Sequence, residues 1–433
     1  MLDSHRRNFL KTAAAGAASF GMTSLAQAAG ANERLRVGLI GCGGRGRYLL
    51  DEFRSVPGVE VTLMADPDER RIEEVAQSLG EQAPKPVGDM RKILDDRTID
   101  AVIVATPDHW HAPAAILACD ASKHVYVEKP CSHNVREGRL LVEAARRNDR
   151  VVQHGTQVRS TSMMIEAVTA LEEGIIGDVL AAKAWNIQLR REIGRQSPSQ
   201  PPAGFDYDAW VGPATMIPYQ ENRVHGGWHW WYHFGTGDIG NDGVHDIDYA
   251  RWGLGVDAHP SRISALGGKY VFDDDQEFAD TQQVTFEYPG DGSPGNRKML
   301  IYEQRLWSTN YPHNVDSGVE FYGTRGQMFL SRRGKIQVLG ERNKKVAVDI
   351  APKPQDAESH IANFVDSVRN GVKPNGDIEL GHLTSSLPHL GNIATRLRRT
   401  LEFDPQSEQF HGDDEANRLL SREYRSNHWA APA

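Results

Sequence analysis

Three glycines follow a short apolar run close to the start of the chain. Leu35–Ile40 has the character of a buried strand, and Gly41, Gly43 and Gly46 stand after it in the spacing G-x-G-x-x-G, before a helical pattern begins. In that spacing the first glycine permits a tight turn, the second lets the backbone approach a pyrophosphate, and the third lets the helix pack closely on the strand. The N-terminus of the helix offers free N–H groups to phosphate oxygens. The motif therefore predicts a parallel α/β sheet that binds a dinucleotide.

The residues after the glycines favour NAD. A second strand ends at Asp66, 20 residues beyond Gly46, where an acidic side chain can accept the ribose hydroxyls of NAD and repel the additional phosphate of NADP. Arg70 and Arg71 follow closely, so NADP remains the less favoured alternative. Strand and helix patterns then alternate, with strands at 99–106 and 124–128 and helices at 68–79, 112–121 and 134–147. This alternation predicts a doubly wound Rossmann domain over residues 33–154.

Polar side chains gather where two of these strands end, in ATPDHWHAP and VYVEKP. Ligands of parallel sheets bind at the carboxyl ends of the strands, so these side chains are expected at the cofactor site. An isolated lysine is commonly a solvated charge, but Lys129 closes a buried strand and precedes a proline, which favours a catalytic role. The predicted cofactor contacts are Gly41, Gly43, Gly44, Arg45, Gly46, Asp66, Arg71, Thr106, Pro107, His109, His111, Glu128, Lys129 and Gln157.

Five segments together resemble a known family. VGLIGCGGRG, ATPDHWH, KHVYVEKP, NDGVHDID and VEFYGTRGQ occur in the order and spacing of the glucose–fructose oxidoreductase, inositol dehydrogenase and MocA-like (Gfo/Idh/MocA) oxidoreductases, over roughly residues 35–430. The resemblance implies that Lys129 and His245 flank the reacting carbon. It also implies that Gln157 and Arg159 lie near the nicotinamide and the substrate.

The resemblance leaves the partner of His245 open. Inositol-dehydrogenase-like members have Asp four residues before this histidine, whereas this chain has Asn241. On a helix, either Asp242 or Asp248 could orient the imidazole, because residues three apart share a face. The histidine could also act without a carboxylate, and Asn241 would hydrogen-bond a substrate hydroxyl. The predicted catalytic residues are Lys129, His245 and Asp242.

The segment around His245 is rich in metal-ligating side chains, but no metal is predicted. The H-E-x-x-H spacing is absent, and a glycine-rich break at 235–240 leaves convergence of the candidate ligands undetermined. A structural histidine that packs or caps a helix is the other alternative for His245. The candidate ligands are His225, His229, His233, Asp238, Asp242, His245 and Asp246.

Alternating apolar patterns at 179–189, 283–288, 299–306 and 319–322 predict a second, α+β domain over residues 155–433, with an open, mainly antiparallel sheet. An open sheet also favours a homo-oligomer. Seven consecutive aromatic or imidazole side chains at 228–234 cannot all face a core, so several are expected to line a cavity, and Trp230 is the predicted substrate contact. Rings with polar tips suit a sugar, polyol or glycoside. The predicted substrate contacts are Arg159, Trp230, Asn241 and His245.

The first 28 residues resemble a twin-arginine signal peptide. Arg6 and Arg7 precede Phe9, Leu10 and Lys11, a short and weakly apolar stretch follows, and Ala-Gln-Ala ends at 28. This pattern predicts a partnership with the twin-arginine export machinery and a periplasmic location. The net charge of −9 and the lack of a basic block argue against nucleic acid and, after processing, against a membrane surface.

These patterns together predict an NAD-dependent oxidoreductase that acts on a CH–OH group of a carbohydrate. Nicotinamide nucleotides are scarce outside the cytoplasm, so an exported enzyme is expected to carry its NAD tightly bound. A redox-neutral NAD-dependent glycoside hydrolase or lyase is the first alternative. A non-catalytic sugar-binding or sensor protein that retains NAD is the second.

Overall fold

Six parallel strands form the first sheet, in the order β3-β2-β1-β4-β5-β6. The computed structural model describes residues 34–432, so the predicted signal peptide at 1–28 lies outside the described residues. The middle strands are apolar and buried because helices cover both faces. The strands are β1 (Leu35–Ile40), β2 (Val59–Ala65), β3 (Lys85–Pro86), β4 (Ala101–Val104), β5 (His124–Val127) and β6 (Val152–His154). The predicted doubly wound sheet is confirmed.

Five helices connect these strands, and the second and the fifth begin at side-chain caps. The side chain of Asp68 accepts the backbone N–H of Arg70, and that of Asn134 accepts the backbone N–H of Glu137 at 2.9 Å. The helices are α1 (Gly44–Ser55), α2 (Glu69–Leu79), α3 (Arg91–Asp95), α4 (Asp108–Asp120) and α5 (Val135–Arg147).

Helix α4 begins four residues earlier than the sequence predicts. This helix contains Pro113, and a proline inside a helix leaves the carbonyl four residues before it without a partner. In the structure that carbonyl belongs to His109, and Arg422 donates to it from Nη2 at 2.7 Å. A residue more than 300 positions away therefore makes the longer helix possible.

Ten strands form the second sheet, in the order β14-β13-β12-β11-β7-β10-β9-β8-β15-β16. Every pairing is antiparallel except that of β7 with β10, so the predicted mainly antiparallel sheet is confirmed. The strands are β7 (Val179–Ile187), β8 (Arg262–Gly268), β9 (Thr281–Tyr288), β10 (Lys298–Arg305), β11 (Ser317–Gly323), β12 (Gly326–Ser331), β13 (Lys335–Gly340), β14 (Lys345–Val346), β15 (Leu401–Asp404) and β16 (Gln409–Phe410).

Two helices from the later part of the chain return to the first sheet. Ile361 and Phe364 of α9 pack in one core with Leu39 and Phe53, and Ile378 of α10 packs in the core on the other side. From Leu35 onward the chain forms one compact unit. None of the described helices is long and apolar enough to span a membrane. The remaining helices are α6 (Ser162–Glu172), α7 (Tyr207–Val211), α8 (Val244–Leu254), α9 (Ala357–Asn370), α10 (Ile378–Leu397) and α11 (Asp414–Arg418).

Candidate functional site

A cavity of about 810 Å³ lies at the carboxyl ends of the first sheet, where the strand order reverses between β1 and β4. Its far wall includes part of a π-helical turn, Ile239–Gly243, directly before α8. Most of the residues predicted for the site meet here. Those lining the cavity are Gly41, Gly43, Gly44, Arg45, Asp66, Arg71, Thr106, Pro107, His111, Glu128, Lys129, Gln157, Asn241, Asp242 and His245.

Two of the predicted cofactor residues lie behind the cavity wall. A side chain on Gly46 would stand 1.9 Å from the carbonyl oxygen of Gly41, so this glycine permits the close packing of α1 and does not line the cavity. His109 faces away from the site, and its Nε2 donates to the carbonyl oxygen of Trp210 at 2.9 Å. The structure therefore does not place His109 on the cavity wall. The longer α4 explains this, because on a helix His109 and His111 point in different directions.

The structure also corrects two predicted substrate contacts. Arg159 is buried, and its Nε donates to Asp248 at 2.9 Å. This ion pair joins a 3-10 turn after β6 to α8, so Arg159 has a structural role. Trp230 packs in an aromatic cluster with Trp231 and Phe234 and does not line the cavity.

The glycine loop fits a dinucleotide. Gly41 has φ +96°, and a side chain there would lie 2.6 Å from the carbonyl oxygen of Ala105, so only glycine suits this turn. A side chain on Gly43 would meet no atom within 4 Å, because this part of the loop faces the open cavity. The N-terminus of α1 begins beside it, at Gly44. Backbone N–H groups are thus available to a pyrophosphate.

Asp66 is held at the edge of the same cavity. Its carboxylate accepts the backbone N–H groups of Cys42 at 2.7 Å and of Asp68 at 2.9 Å. These bonds fix a carboxylate at the end of β2, where the ribose hydroxyls of NAD would be recognised. The residues present therefore fit NAD.

Glu128 joins the end of β5 to α1 and to the turn after β6. Glu128 is buried and accepts Nε of Arg45 at 2.7 Å, and Nε2 of Gln157 lies 3.4 Å from the same carboxylate. Burial raises the pKa of Glu128, but the charges of Arg45 and Lys129 and the hydrogen bonds that both residues donate together hold that pKa below its usual value. Glu128 thus remains an anion that orients Arg45 at the cavity.

Lys129 is positioned by Asn241. Its ammonium group donates to the backbone oxygen of Asn241 and, at 3.1 Å, to the side-chain oxygen of the same residue. Nδ2 of Asn241 donates in turn to buried Asp238 at 3.1 Å. An amide at this position holds the lysine without neutralising its charge. An ammonium has three protons, so one is left for a substrate oxygen.

Asp242 does not hydrogen-bond His245. Arg332 donates to the carboxylate of Asp242 at 3.1 Å, and Arg190 donates to its other oxygen. Asp248, the other candidate, is occupied by Arg159 and by the hydroxyl of Thr384. Within residues 34–432, Nδ1 of His245 has no hydrogen-bond partner.

His245 is nevertheless electrostatically coupled to Asp242. Burial lowers the pKa of His245 well below its usual value, Arg332 and Lys129 lower it further, and Asp242 opposes them. The ring is therefore neutral near pH 7 and can accept a proton. Asp242 would then lie close enough to stabilise the imidazolium.

Several side chains of the site carry no signal in the sequence. Arg190 and Arg332 follow β7 and β12, outside the recognised motifs, and converge on Asp242 only in the folded chain. Trp228 and His229 belong to the aromatic run and line the cavity, whereas Trp230 does not. Neither the spacing of hydrophobic residues nor the residue type predicts this difference. The cavity-lining residues that sequence reasoning missed include Trp228, His229, Arg332, Gln355, His428 and Trp429.

One side-chain group among the described residues has the geometry for a metal ion, and it lies outside the cavity. His259 and His382 both place Nε2 within 2.9 Å of the same oxygen of Glu408. Arg139 donates to that oxygen at 2.7 Å. A guanidinium already supplies the positive charge, so this cluster is an ion-pair network. The histidines at 225–245 form no comparable group within residues 34–432.

Buried histidines predict destabilisation by mild acid. Burial lowers the pKa of His109, His154 and His389 to about 3 and that of His360 to about 4. Below the unfolded pKa of about 6.5 the unfolded chain binds protons that the folded chain excludes, so stability falls as the pH falls. Asp246 opposes this, because burial raises its pKa to about 7 and its folded form takes up a proton.

We therefore expect the free energy of unfolding to drop by something on the order of 5 kcal/mol between pH 7 and pH 5. Urea unfolding followed by tryptophan fluorescence measures it. A His389→Gln variant should show a shallower decline. An unfolding midpoint that stays constant over this range would contradict the expectation.

Two family models match the chain. The NAD-binding Rossmann fold of the oxidoreductase family Gfo/Idh/MocA matches residues 35–156, and its C-terminal alpha/beta domain matches residues 184–430. These matches confirm NAD as the cofactor of the first sheet and identify an oxidoreductase.

Similar proteins and similar solved structures are consistent with this family assignment. A scyllo-inositol 2-dehydrogenase (NAD(+)) of Bacillus subtilis is 26% identical over 79% of this chain and 88% of its own length. Glycosyl hydrolase family 109 protein 1 of Shewanella sp. (strain ANA-3) is 31% identical over 43% of this chain, and the chain spans about half of that relative, 47%.

The fold likewise matches levoglucosan dehydrogenase in complex with NADH and levoglucosan. That match has a TM-score of 0.65 and 19% identity, and it covers 85% of this chain and 99% of the dehydrogenase. The glycine cradle, the lysine that closes β5, the histidine of α8 and both family models agree: this chain belongs to the Gfo/Idh/MocA family of NAD-binding oxidoreductases.

Proposed function

We propose that this protein oxidises a CH–OH group of a sugar, polyol or glycoside. The observation that carries the proposal is the pair formed by Lys129 and His245, a charged donor and a neutral acceptor that line one cavity with the glycine loop. Oxidation of an alcohol needs both, because the hydroxyl must lose a proton while its oxygen is stabilised as it becomes a carbonyl.

The residues divide this work between them. When bound, NAD supplies the acceptor for the hydride that leaves the carbon. His245 accepts the hydroxyl proton at its ring, and Lys129 directs its remaining N–H at the substrate oxygen. Asn241 holds Lys129 in place. Asp242, flanked by Arg190 and Arg332, balances the imidazolium that forms at His245.

The carbohydrate class is supported by the cavity wall and by the relatives. Trp228 and His229 contribute ring surfaces, and Asn241, Gln157 and Gln355 contribute amides that suit a polyhydroxylated ligand. The inositol and levoglucosan dehydrogenases are named for substrates rich in ring hydroxyl or ether oxygens. A panel of polyols, aldoses and glycosides tests the proposal, with NADH absorbance followed both for added NAD and for the NAD that the protein retains. A panel without turnover of any member would contradict it.

A redox-neutral glycoside hydrolase is the second candidate. It is supported by the 31% identity to glycosyl hydrolase family 109 proteins over 216 residues, although that match covers less than half of either chain. Release of p-nitrophenol from aryl glycosides, with no net NADH formed, would favour this candidate over net oxidation. Net NADH formation with a free polyol would favour the dehydrogenase reaction.

We further propose export by the twin-arginine machinery to the periplasm, with NAD already bound. The proposal rests on Arg6 and Arg7 and on the site that NAD fills. The exposed side chains of Leu266 and Met299 on the outer face of the second sheet support a homo-oligomer.

If the protein is exported with NAD bound, NAD should remain bound through purification. Protein purified without added cofactor and then denatured should release about one NAD(H) per chain, because a cofactor that must not be lost needs a very slow dissociation rate. Chromatography of the released nucleotide against standards measures this ratio and distinguishes NAD from NADP. Recovery of apoprotein would argue against export with NAD bound. The proposed reaction would still be tested by the dehydrogenase assay above.

A further inference from the structure

A second cavity, of about 330 Å³, lies behind α4 and is lined by different residues from the first. It lies between the start of α5, the segment 232–236, α10 and the chain after α11. Arg422 and Thr236 on its wall bond to His109 and Asp108 of α4, so the first turn of that helix separates it from the NAD cavity. Its polar wall includes Asn134, His133, His389, Arg396, Arg418 and Arg422.

Several buried polar atoms of this wall have no partner within residues 34–432, among them both ring nitrogens of His133 and two amide or guanidinium donors. Asn134 is 5% exposed, and its side-chain oxygen accepts the backbone N–H of Glu137. This bond fixes the amide orientation, so Nδ2 is the atom left without a partner. Nη1 of Arg422 is also unpartnered, although Nε and Nη2 bond to Glu137 and His109. A buried donor without an acceptor costs free energy, which a ligand rich in acceptor oxygens would recover.

The charge around this cavity favours an anion. The guanidinium of Arg422 is balanced by Glu137, but Arg396 and Arg418 stand exposed at the mouth. Within residues 34–432 neither of these two forms an ion pair, and Arg396 lies over the ring of Tyr232 at 4.1 Å. Glu423 is the only acidic residue of the described wall. The N-terminus of α5, at Asn134, adds a positive helix end.

We propose that the second cavity binds a small oxyanion, a phosphate or a carboxylate. Its oxygens accept Nδ2 of Asn134 and Nη1 of Arg422 inside the cavity, while Arg396 and Arg418 contribute charge at the mouth. The site is separate from the NAD pyrophosphate site and does not depend on the reaction proposed above.

Calorimetric titration of NAD-saturated protein tests the site, because bound NAD keeps the anion out of the glycine loop. Inorganic phosphate and malonate serve as probes in separate titrations, and the tighter of the two identifies the preferred oxyanion. Asn134→Asp keeps the helix cap, since Asp caps as well as Asn, but replaces the unpartnered donor with a carboxylate oxygen. We expect it to weaken binding by more than about tenfold, through loss of a charge-assisted hydrogen bond.

Asn343→Asp is the matched control, because it makes the same change in an exposed turn outside the cavity and should bind as the wild type does. The double variant Arg396→Gln/Arg418→Gln changes only exposed residues, so it tests the charge at the mouth without disturbing the fold. The affinity of this double variant for the anion should be lower than that of the wild type, and the difference should be larger at low salt, where charges are less screened. Heat from neither probe in the wild type, or equal affinities for wild type and Asn134→Asp, would overturn the proposal.

Discussion

Lys129→Met is expected to lower kcat by about 10²- to 10⁴-fold, the range typical of a lost proton-transfer partner or oxyanion donor. Methionine keeps the length and apolar stem of the side chain and removes the ammonium. The substrate oxygen then loses the donor that stabilises its charge as the carbonyl forms. Steady-state kinetics with a substrate from the carbohydrate panel measure the effect.

The same variant should still contain NAD. The glycine loop and Asp66 are untouched, and both lie apart from the contact between Lys129 and Asn241. Lys92→Met, on the exposed side of α3 and away from the cavity wall, is the matched control and should be as active as the wild type. Normal turnover by Lys129→Met would remove this residue from the mechanism. Loss of NAD along with activity would instead make it a binding residue.

Local sequence patterns predicted the first sheet because each pattern is realised over a few residues. Strand, glycine turn and helix follow one another between Leu35 and Ser55 in both sequence and structure. The helix caps formed by Asp68 and Asn134 likewise depend on neighbours two or three residues away. Such short-range features depend on few residues, so the local sequence is enough to predict them.

The errors occur where distant residues decide the outcome. Arg422 satisfies the carbonyl that Pro113 leaves free, which lengthens α4 and turns His109 away from the cofactor. Arg159 has the sequence position of a substrate contact, but in the structure it forms an ion pair with Asp248 on α8.

The charge cluster around Asp242 could not be predicted for the same reason. Arg190 and Arg332 follow two strands of the second sheet, and neither belongs to a motif. The π-helical turn at 239–243 also changes the spacing that an α-helix would give to Asn241 and Asp242. Sequence reasoning therefore identified the acidic residue but not the groups that hold it.

His245→Ala should be as damaging as the lysine change, with a distinct dependence on pH. The neutral ring accepts the substrate proton, so we expect kcat to fall by about 10²- to 10⁴-fold in its absence. Because burial, Arg332 and Lys129 lower the pKa of His245 well below its usual value, the ring stays neutral as the pH falls through 6.5. Wild-type kcat/KM should therefore not decline near pH 6.5 on account of this residue, and its acid limb should lie lower.

In His245→Ala the acid limb that belongs to this ring should disappear from the pH profile, which a purely structural role would not produce. Bound NAD should remain, and His411→Ala, at an exposed position outside the cavity, should retain wild-type kinetics. An unchanged acid limb in a slow variant would mean that another group accepts the proton. The buried imidazole of His229 on the same wall would then be the first candidate, since its pKa is lowered by burial and by Lys129 in the same way.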